Sequence, residues 1–284
     1  MGAQLAMQFD AALDVWDRAA ASGMRLHDAV FPITDFEPDA DARAAARLAA
    51  TDVAQPAIGC TSLSILALLD AVGLRPAYVG GHSFGEVTAL HAAGVLDAEA
   101  FLQVARSRGE TMAAAASTPG AMTAVSATVE QVREALAALD TDVVVANHNA
   151  PTQVVLSGKT PAIEAVETAL REGGLRCKRL PVATAFHSEV VAGASQTFGA
   201  SIADVTLQTP RIPVFANATA APYPAGAPDI RTQLASQLAQ PVRFVEMIEA
   251  MYAAGVRTYV EVGPGAVLTG LIGRILGALS LIHI

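Results

Sequence analysis

The segment Gly81-His82-Ser83-Phe84-Gly85-Glu86 holds the residues of this chain best suited to covalent chemistry. A serine flanked by glycines two positions away on each side has the G-x-S-x-G spacing of a nucleophile on a sharp strand-to-helix turn. The flanks fit this reading. An apolar run over residues 77–80 precedes the turn, and residues 87–93 follow with helix-compatible spacing before Gly94. The glycines let the chain turn sharply and the helix pack close. The turn then exposes the Ser83 hydroxyl, and the helix N-terminus puts unpaired N–H groups beside it. Taken alone, the pattern also fits a glycine-rich turn with an incidental serine, so the choice rests on what else the chain supplies.

A serine hydroxyl is a weak nucleophile at neutral pH and needs a base within hydrogen-bond reach. There are six histidines. His82 adjoins the serine, but its place on the turn points it elsewhere. His27 and His91 sit in helical patterns, and His283 lies in a tail, residues 279–284, with no helical or strand pattern. His148 lies in the loop Ala146-Asn147-His148-Asn149. His187 lies in Thr184-Ala185-Phe186-His187-Ser188, where the chain passes from one structural block back to another, a usual place for a cleft. His187 is therefore the expected base, with His148 second. The backbone N–H of Phe84 is the expected first donor to a tetrahedral oxyanion, and losing such a donor costs ~3 kcal/mol. Arg108 shares a helical face with apolar Val104 and Met112, where a guanidinium is either buried with a purpose or snorkelling to water.

The elements that would position these groups form an α/β pattern. Residues 4–22 read as an amphipathic helix with Leu5, Phe9, Leu13 and Trp16 on its apolar face. An apolar helix over 58–72 follows Pro56, and Pro76 opens the strand before the serine turn. A helix over 97–115 has Asp97 as its N-cap. The next block reads strand 122–125, a T-x-x-Q capping box at Thr128 and Gln131 with a helix to 139, strands 143–146 and 153–156, a helix from Thr160-Pro161 to Gly173-Gly174, and strand 176–182. That βαββαβ order is a ferredoxin-like unit. The body resumes with strands 212–215 and 258–262, helices within 228–254 broken at Pro241, and a helix over 265–276. The expected fold is an α/β-hydrolase-like body with a parallel sheet, residues 1–119 and 186–284, carrying a ferredoxin-like insert at 120–185.

Composition narrows the function classes. The 284 residues are 52% hydrophobic and 16% charged, which leaves ample apolar surface for a core. A net charge of −9 argues against nucleic acid as a partner, because phosphate binding wants a basic face. No run of about 18 uninterrupted apolar residues suggests a membrane span, and no signal-peptide pattern opens the chain. Cys60 and Cys177 lack metal-ligand spacing, so no metal site is expected. Two free thiols fit a cytoplasmic protein.

Taken together, Gln55-Pro56-Ala57, the GHSFGE run at 81–86, Arg108-Gly109, the stretch from Ala146-Asn147 to Gly158, Ala185-Phe186-His187-Ser188, Gln240-Pro241-Val242-Arg243-Phe244 and Glu261-Val262-Gly263-Pro264-Gly265 are specific. In this order they resemble the acyltransferase domains of type I polyketide synthases and the malonyl-CoA:acyl-carrier-protein transacylases, over nearly the whole chain. The resemblance implies a Ser83–His187 dyad without a carboxylate, the histidine being oriented by a carbonyl near Gln237. It also implies that Arg108 holds the free carboxylate of a malonyl group, a task suited to its planar fork. Phe186, before the histidine, implies a malonyl preference by crowding an α-methyl branch. Apolar Phe84 agrees with that, and Thr184 stands where many malonyl-specific relatives carry histidine. The family pattern opens with a strand and a G-Q-G-x-Q turn that supplies a second oxyanion donor. This chain starts just after that turn, so the donor is expected to be missing, with Gln55 placed to line the same pocket.

The expected activity is transfer of malonyl from malonyl-CoA through Ser83 to the phosphopantetheine thiol of an acyl carrier protein. No bound cofactor is implied, and the partners would be that carrier and neighbouring domains of a multidomain synthase. Two alternatives stand beside it. A thioesterase would share the serine turn but needs an acid between Ser83 and His187 in chain order. A catalytically impaired docking domain would follow from the missing turn.

Overall fold

A computed structural model describes residues 1–115, 119–182, 184–188 and 191–277. His283 and the tail 279–284 lie outside the described residues. The fold is mixed α/β and, among the described residues, holds two sheets. Strands β1 (Val79–Gly80) and β6 (Val214–Phe215) pair in parallel. Between them in sequence, β2 (Ala121–Ser126), β3 (Val144–Ala150), β4 (Gln153–Gly158) and β5 (Arg176–Arg179) form an antiparallel sheet in the order β3-β4-β2-β5. Helices Val129–Ala137 and Thr160–Glu172 complete the strand–helix alternation expected for this block.

The capping box forms as the spacing requires. Thr128 Oγ1 accepts from Gln131 N, and the Gln131 side chain accepts from Thr128 N at 3.0 Å. Asp97 caps helix Ala98–Ala115, its carboxylate accepting from Ala100 N at 2.8 Å. Lys159 is the N-cap of Thr160–Glu172, and its side chain makes no capping bond.

Several expectations need correction. The N-terminal helix is two helices, Ala3–Gln8 and Asp10–Ala21, separated by an extended Phe9. Its buried face is Ala12, Trp16 and Ala19, while Phe9 and Leu13 face solvent. The small Ala12 and Ala19 let Asp10–Ala21 lie close against helix Thr51–Ala71, to which Ser64 Oγ adds a bond on Ala12 O at 3.0 Å. That second helix starts a full turn and more before its expected position and runs through Pro56, which lacks the N–H of one helical bond but leaves the flanking turns in place.

By length and composition alone, Thr51–Ala71 is apolar enough to cross a membrane, although polar residues interrupt it and half of it is buried inside the protein. Its buried stretch carries Gln55, Ser62 and Ser64, each bonded inside the protein. Residues 258–262 join no ladder among the described residues. Glu261 instead accepts from Leu268 N and Thr269 N at 3.0 and 2.7 Å and holds the start of helix Val267–Leu276.

Apolar burial is divided among clusters. The largest includes Trp16, Leu63, Phe84, Leu90, Phe101 and Phe198. A separate one lies under the antiparallel sheet, with Val125, Leu156, Ile163 and Leu170. The outer edge of β3 is tied to the body by main-chain bonds. Val242 N donates to Ala146 O at 2.8 Å, and His148 N donates to Val242 O at 2.9 Å. This seam fixes the segment between helices Ala227–Ser236 and Phe244–Ala253 against the sheet. Replacing Thr128 with Ala should lower stability by about 1 kcal/mol, read as a shift of the urea midpoint with unchanged slope.

Candidate active site

The serine turn is built on one glycine more than the other. A Cβ on Gly81 would lie 2.0 Å from the Gly85 carbonyl carbon, so only glycine lets helix Gly85–Ala92 close onto the strand end. At Gly85 the equivalent Cβ would meet nothing within 4 Å. Ser83 itself sits at φ 51°, a left-handed conformation that costs a residue with a side chain on the order of 1 kcal/mol or more.

Asn217, two residues past β6, holds that conformation. Its Oδ1 accepts from Ser83 N at 2.7 Å and its Nδ2 donates to Gly81 O at 2.6 Å, so one amide spans the turn. Asn217 N donates to Glu86 Oε1 at 2.5 Å, and the Tyr223 hydroxyl donates to Glu86 Oε2. Asn217 and Glu86 are both fully buried. Burial pushes the Glu86 carboxyl up to about 7, although the bonds from Tyr223 and Asn217 and the charge of Arg108 act to lower it.

Ser83 Oγ lies 2.9 Å from His187 Nε2. His187 Nδ1 faces two carbonyl oxygens, Gln240 O at 2.9 Å and Gln237 O at 3.2 Å. Carbonyls only accept, so the proton sits on Nδ1 and Nε2 is left to accept from the serine. His187 N also donates to Leu238 O at 3.1 Å, and its backbone, like that of Ser83, is left-handed with φ 57°. Burial, and after it the charges of Arg108 and His82, push the imidazole down to about 3, so it is neutral at physiological pH.

The third member of the cluster is Arg108, 1% exposed and the largest fully buried side chain among the described residues. Its Nη1 donates to Gln55 Oε1 at 2.5 Å and to Met112 Sδ at 3.1 Å. Its Nη2 donates to Gln237 Oε1 at 2.8 Å and to Ser83 Oγ at 3.2 Å. Nε has no acceptor among the described residues. Burial lowers the guanidinium to about 10, which leaves it charged near neutrality. Gly109 makes the placement possible: a Cβ there would be 3.0 Å from Asp52 Cα and Thr51 O, so the two long helices meet where Gln55 and Arg108 face each other.

The structure brings Ser83, His187, Arg108, Gln55 and Gln237 into one contiguous cluster. Gln237 does more than offer a carbonyl, since its Nε2 also donates to Ser83 O at 2.6 Å. Phe84 is buried, with its ring 5.9 Å from the Arg108 guanidinium carbon, and its N–H donates to no group among the described residues. Phe186 is half-buried and packs on both the main core and a small cluster containing Met122, Ala146 and Val155. Among the described residues no hydrogen bond joins His148 to Ser83. His148 faces Glu246, with Nδ1 3.3 Å from Oε2. His82 Nε2 lies 2.7 Å from Asn149 Oδ1, linking the turn to β3. Sequence reasoning missed Asn217, Tyr223 and the Gln240 carbonyl. Gln240 lay inside a quoted motif, but Asn217 and Tyr223 carried no local signal.

A family model described as acyl transferase domain matches residues 1–277. The chain is 39% identical over 234 residues to the polyketide biosynthesis protein ThaF of Burkholderia thailandensis, spanning 81% of this chain and about a fifth (20%) of that protein's length. It is 36% identical over 246 residues to the malonyl CoA-acyl carrier protein transacylase of Bacillus subtilis, covering 84% of this chain and 76% of the relative. Among solved structures, the malonyl CoA-acyl carrier protein transacylase from Clostridium perfringens superposes with TM-score 0.90 at 29% identity, over 100% of this chain and 88% of that one. The acyltransferase domain from the second module of the salinomycin polyketide synthase gives 0.87 at 31% identity, over 99% and 64%.

The buried Glu86 carboxyl yields a stability test. Its native pKa is raised to about 7, so between the ordinary carboxylate range and that value the native state keeps a proton that the unfolded chain has released. Its contribution is therefore present below about pH 4.5 and lost as pH rises through about 7, by on the order of 3 kcal/mol. His187, with its lowered pKa, acts in the opposite sense below about pH 6.5. In Glu86→Gln the first slope should vanish and the second remain, so the variant's unfolding midpoint should gain on the wild type between pH 5 and pH 8.

Proposed function

The chain belongs to the acyl transferase domain family, and on that premise we propose that it loads malonyl from malonyl-CoA onto Ser83 and passes it to the phosphopantetheine thiol of an acyl carrier protein. One observation carries the reading. A serine hydroxyl 2.9 Å from a neutral histidine lies within 3.2 Å of a buried guanidinium. This pairs an acyl acceptor with a carboxylate receptor.

His187 Nε2 takes the Ser83 proton as Oγ attacks the thioester carbonyl. The oxyanion is met by Phe84 N–H, and the intermediate collapses as the C–S bond breaks and the leaving thiolate takes the proton from His187. In the second half-reaction the carrier thiol gives its proton to His187 and attacks the seryl ester, and Ser83 leaves with that proton. Arg108 binds the malonyl carboxylate, with Gln55 and Gln237 fixing its plane. The carbonyls of Gln240 and Gln237 hold His187 in the required tautomer. Phe186 gives a preference for malonyl over α-branched units of ~1–3 kcal/mol per methyl.

The finer architecture belongs to the same proposal: an α/β-hydrolase-like body over 1–119 and 186–284 with a ferredoxin-like insert over 120–185. Its support is the strand order β3-β4-β2-β5 and the separate apolar cluster beneath that sheet. The likeness to ThaF and to the salinomycin domain supports a polyketide setting, with further synthase domains as neighbours and the cytoplasm as the compartment. The thioesterase reading is disfavoured because carbonyls, not a carboxylate, occupy His187 Nδ1.

Intact-mass measurement after incubation with malonyl-CoA should show a malonyl adduct that Ser83→Ala abolishes. Adduct persisting in that variant, or rapid release of free malonate without a carrier protein, would overturn the proposal. Arg108→Ala should slow acylation by malonyl-CoA about 10- to 100-fold, the size of a lost charge-assisted bond of about 1.5–3 kcal/mol. Acylation by acetyl-CoA should not fall with it, and equal losses would remove Arg108 from carboxylate binding.

A further inference from the structure

We propose that the carboxylate of an incoming malonyl group, besides anchoring the substrate, draws Arg108 off Ser83 and so switches on the Ser83–His187 pair. The inference rests on the acylation of Ser83 proposed above. Among the described residues Ser83 Oγ has two hydrogen-bond partners, His187 Nε2 at 2.9 Å and Arg108 Nη2 at 3.2 Å. The guanidinium donates to an oxygen lone pair of the atom that must attack a carbonyl, which withdraws electron density from the nucleophile.

The charge acts on the base as well. His187 becomes an imidazolium when it takes the serine proton, and a positive guanidinium on the other side of Oγ opposes that change. Nothing bonded to Arg108 among the described residues neutralises it. Its partners are the amide oxygens of Gln55 and Gln237, the Met112 thioether and the Ser83 hydroxyl, all uncharged. Glu86 is the nearby buried carboxyl, and it is bonded to Asn217 and Tyr223 rather than to the guanidinium.

A malonyl carboxylate reverses both effects. Charge-assisted bonds are about twice as strong as neutral ones, so a carboxylate outcompetes a hydroxyl for Nη2. The buried Nε, without an acceptor among the described residues, provides a second donor for a bidentate grip. With Arg108 paired, Oγ regains its lone pair and the imidazolium forms beside a neutral ion pair. The bonds made and broken are those of the acylation step, and only its barrier changes. Discrimination between malonyl and uncharged acyl groups therefore appears in the rate constant at saturation as well as in KM.

Two measurements on the intact chain test this, both following Ser83 acylation by rapid quench and intact mass. Acetoacetyl-CoA is a neutral analogue of malonyl-CoA with similar length and shape. At saturation it should acylate Ser83 more slowly by about tenfold or more. Acetyl-CoA leaves the place of the carboxylate open, so added formate should accelerate its reaction several-fold and saturably, an effect that Arg108→Ala abolishes. Equal saturating rate constants for malonyl-CoA and acetoacetyl-CoA would overturn the inference. So would formate that competes with malonyl-CoA yet leaves acetylation unchanged, and if formate does not compete, the acetoacetyl comparison alone decides. Failure to form any malonyl adduct defeats the acylation reading itself and this inference with it.

Discussion

The burial of one guanidinium without a bonded carboxylate organises this structure. Moving a cation out of water is costly unless its donors are met, and Arg108 meets most of its own with neutral acceptors drawn from three separate segments of the chain. Gln55 comes from one long helix, Met112 from the helix of Arg108, and Gln237 from the turn after helix Ala227–Ser236. Each of these must be in place for the charge to be tolerated, so the cation acts as an assembly check on the core. Neutral acceptors also leave the site receptive to an anion, because a site already holding a carboxylate would gain little from another.

Around that charge, the two reacting groups are held in backbone conformations they would not choose unaided. Ser83 and His187 both have positive φ. The opposing bonds come from the surroundings: Asn217 and Gln237 on the serine turn, and the carbonyls of Gln240 and Gln237 on the histidine ring. The seam between Val242 and β3 immobilises the segment that carries these carbonyls. The antiparallel sheet thereby positions the base although no strand of that sheet contains it.

How far each element could be read ahead of the structure follows from the range of the forces behind it. The capping box at Thr128, the Asp97 cap and the strand–helix alternation of residues 121–179 depend on neighbours within a turn or a hairpin, and all were legible. Residues 258–262 read as a strand because alternation reports side-chain pattern, whereas a strand also needs a partner ladder. The buried face of the N-terminal helix was misread in part: Trp16 is buried as expected, but Ala12 and Ala19, not the large Leu13, allow close approach to its neighbour. Size, not hydrophobicity alone, decides which face a helix buries where axes come close.

The sequence by itself determined the reacting types and their local setting: a serine between glycines at a helix start, a histidine after the small sheet, and an arginine on an apolar helical face. These follow from short-range sterics and hydrogen bonding, which act over a few residues and leave a pattern in the chain. Only the tertiary structure decided that Gln55 serves Arg108, that Gln237 touches both Arg108 and Ser83, that Gln240 shares the orientation of His187, and that Asn217 and Tyr223 belong to the site at all. Those contacts join residues more than fifty positions apart in most cases, such as Gln237 and Ser83 with a separation of 154. Their geometry is set by how helices and sheets pack, a property of the folded whole that no local window of residues encodes.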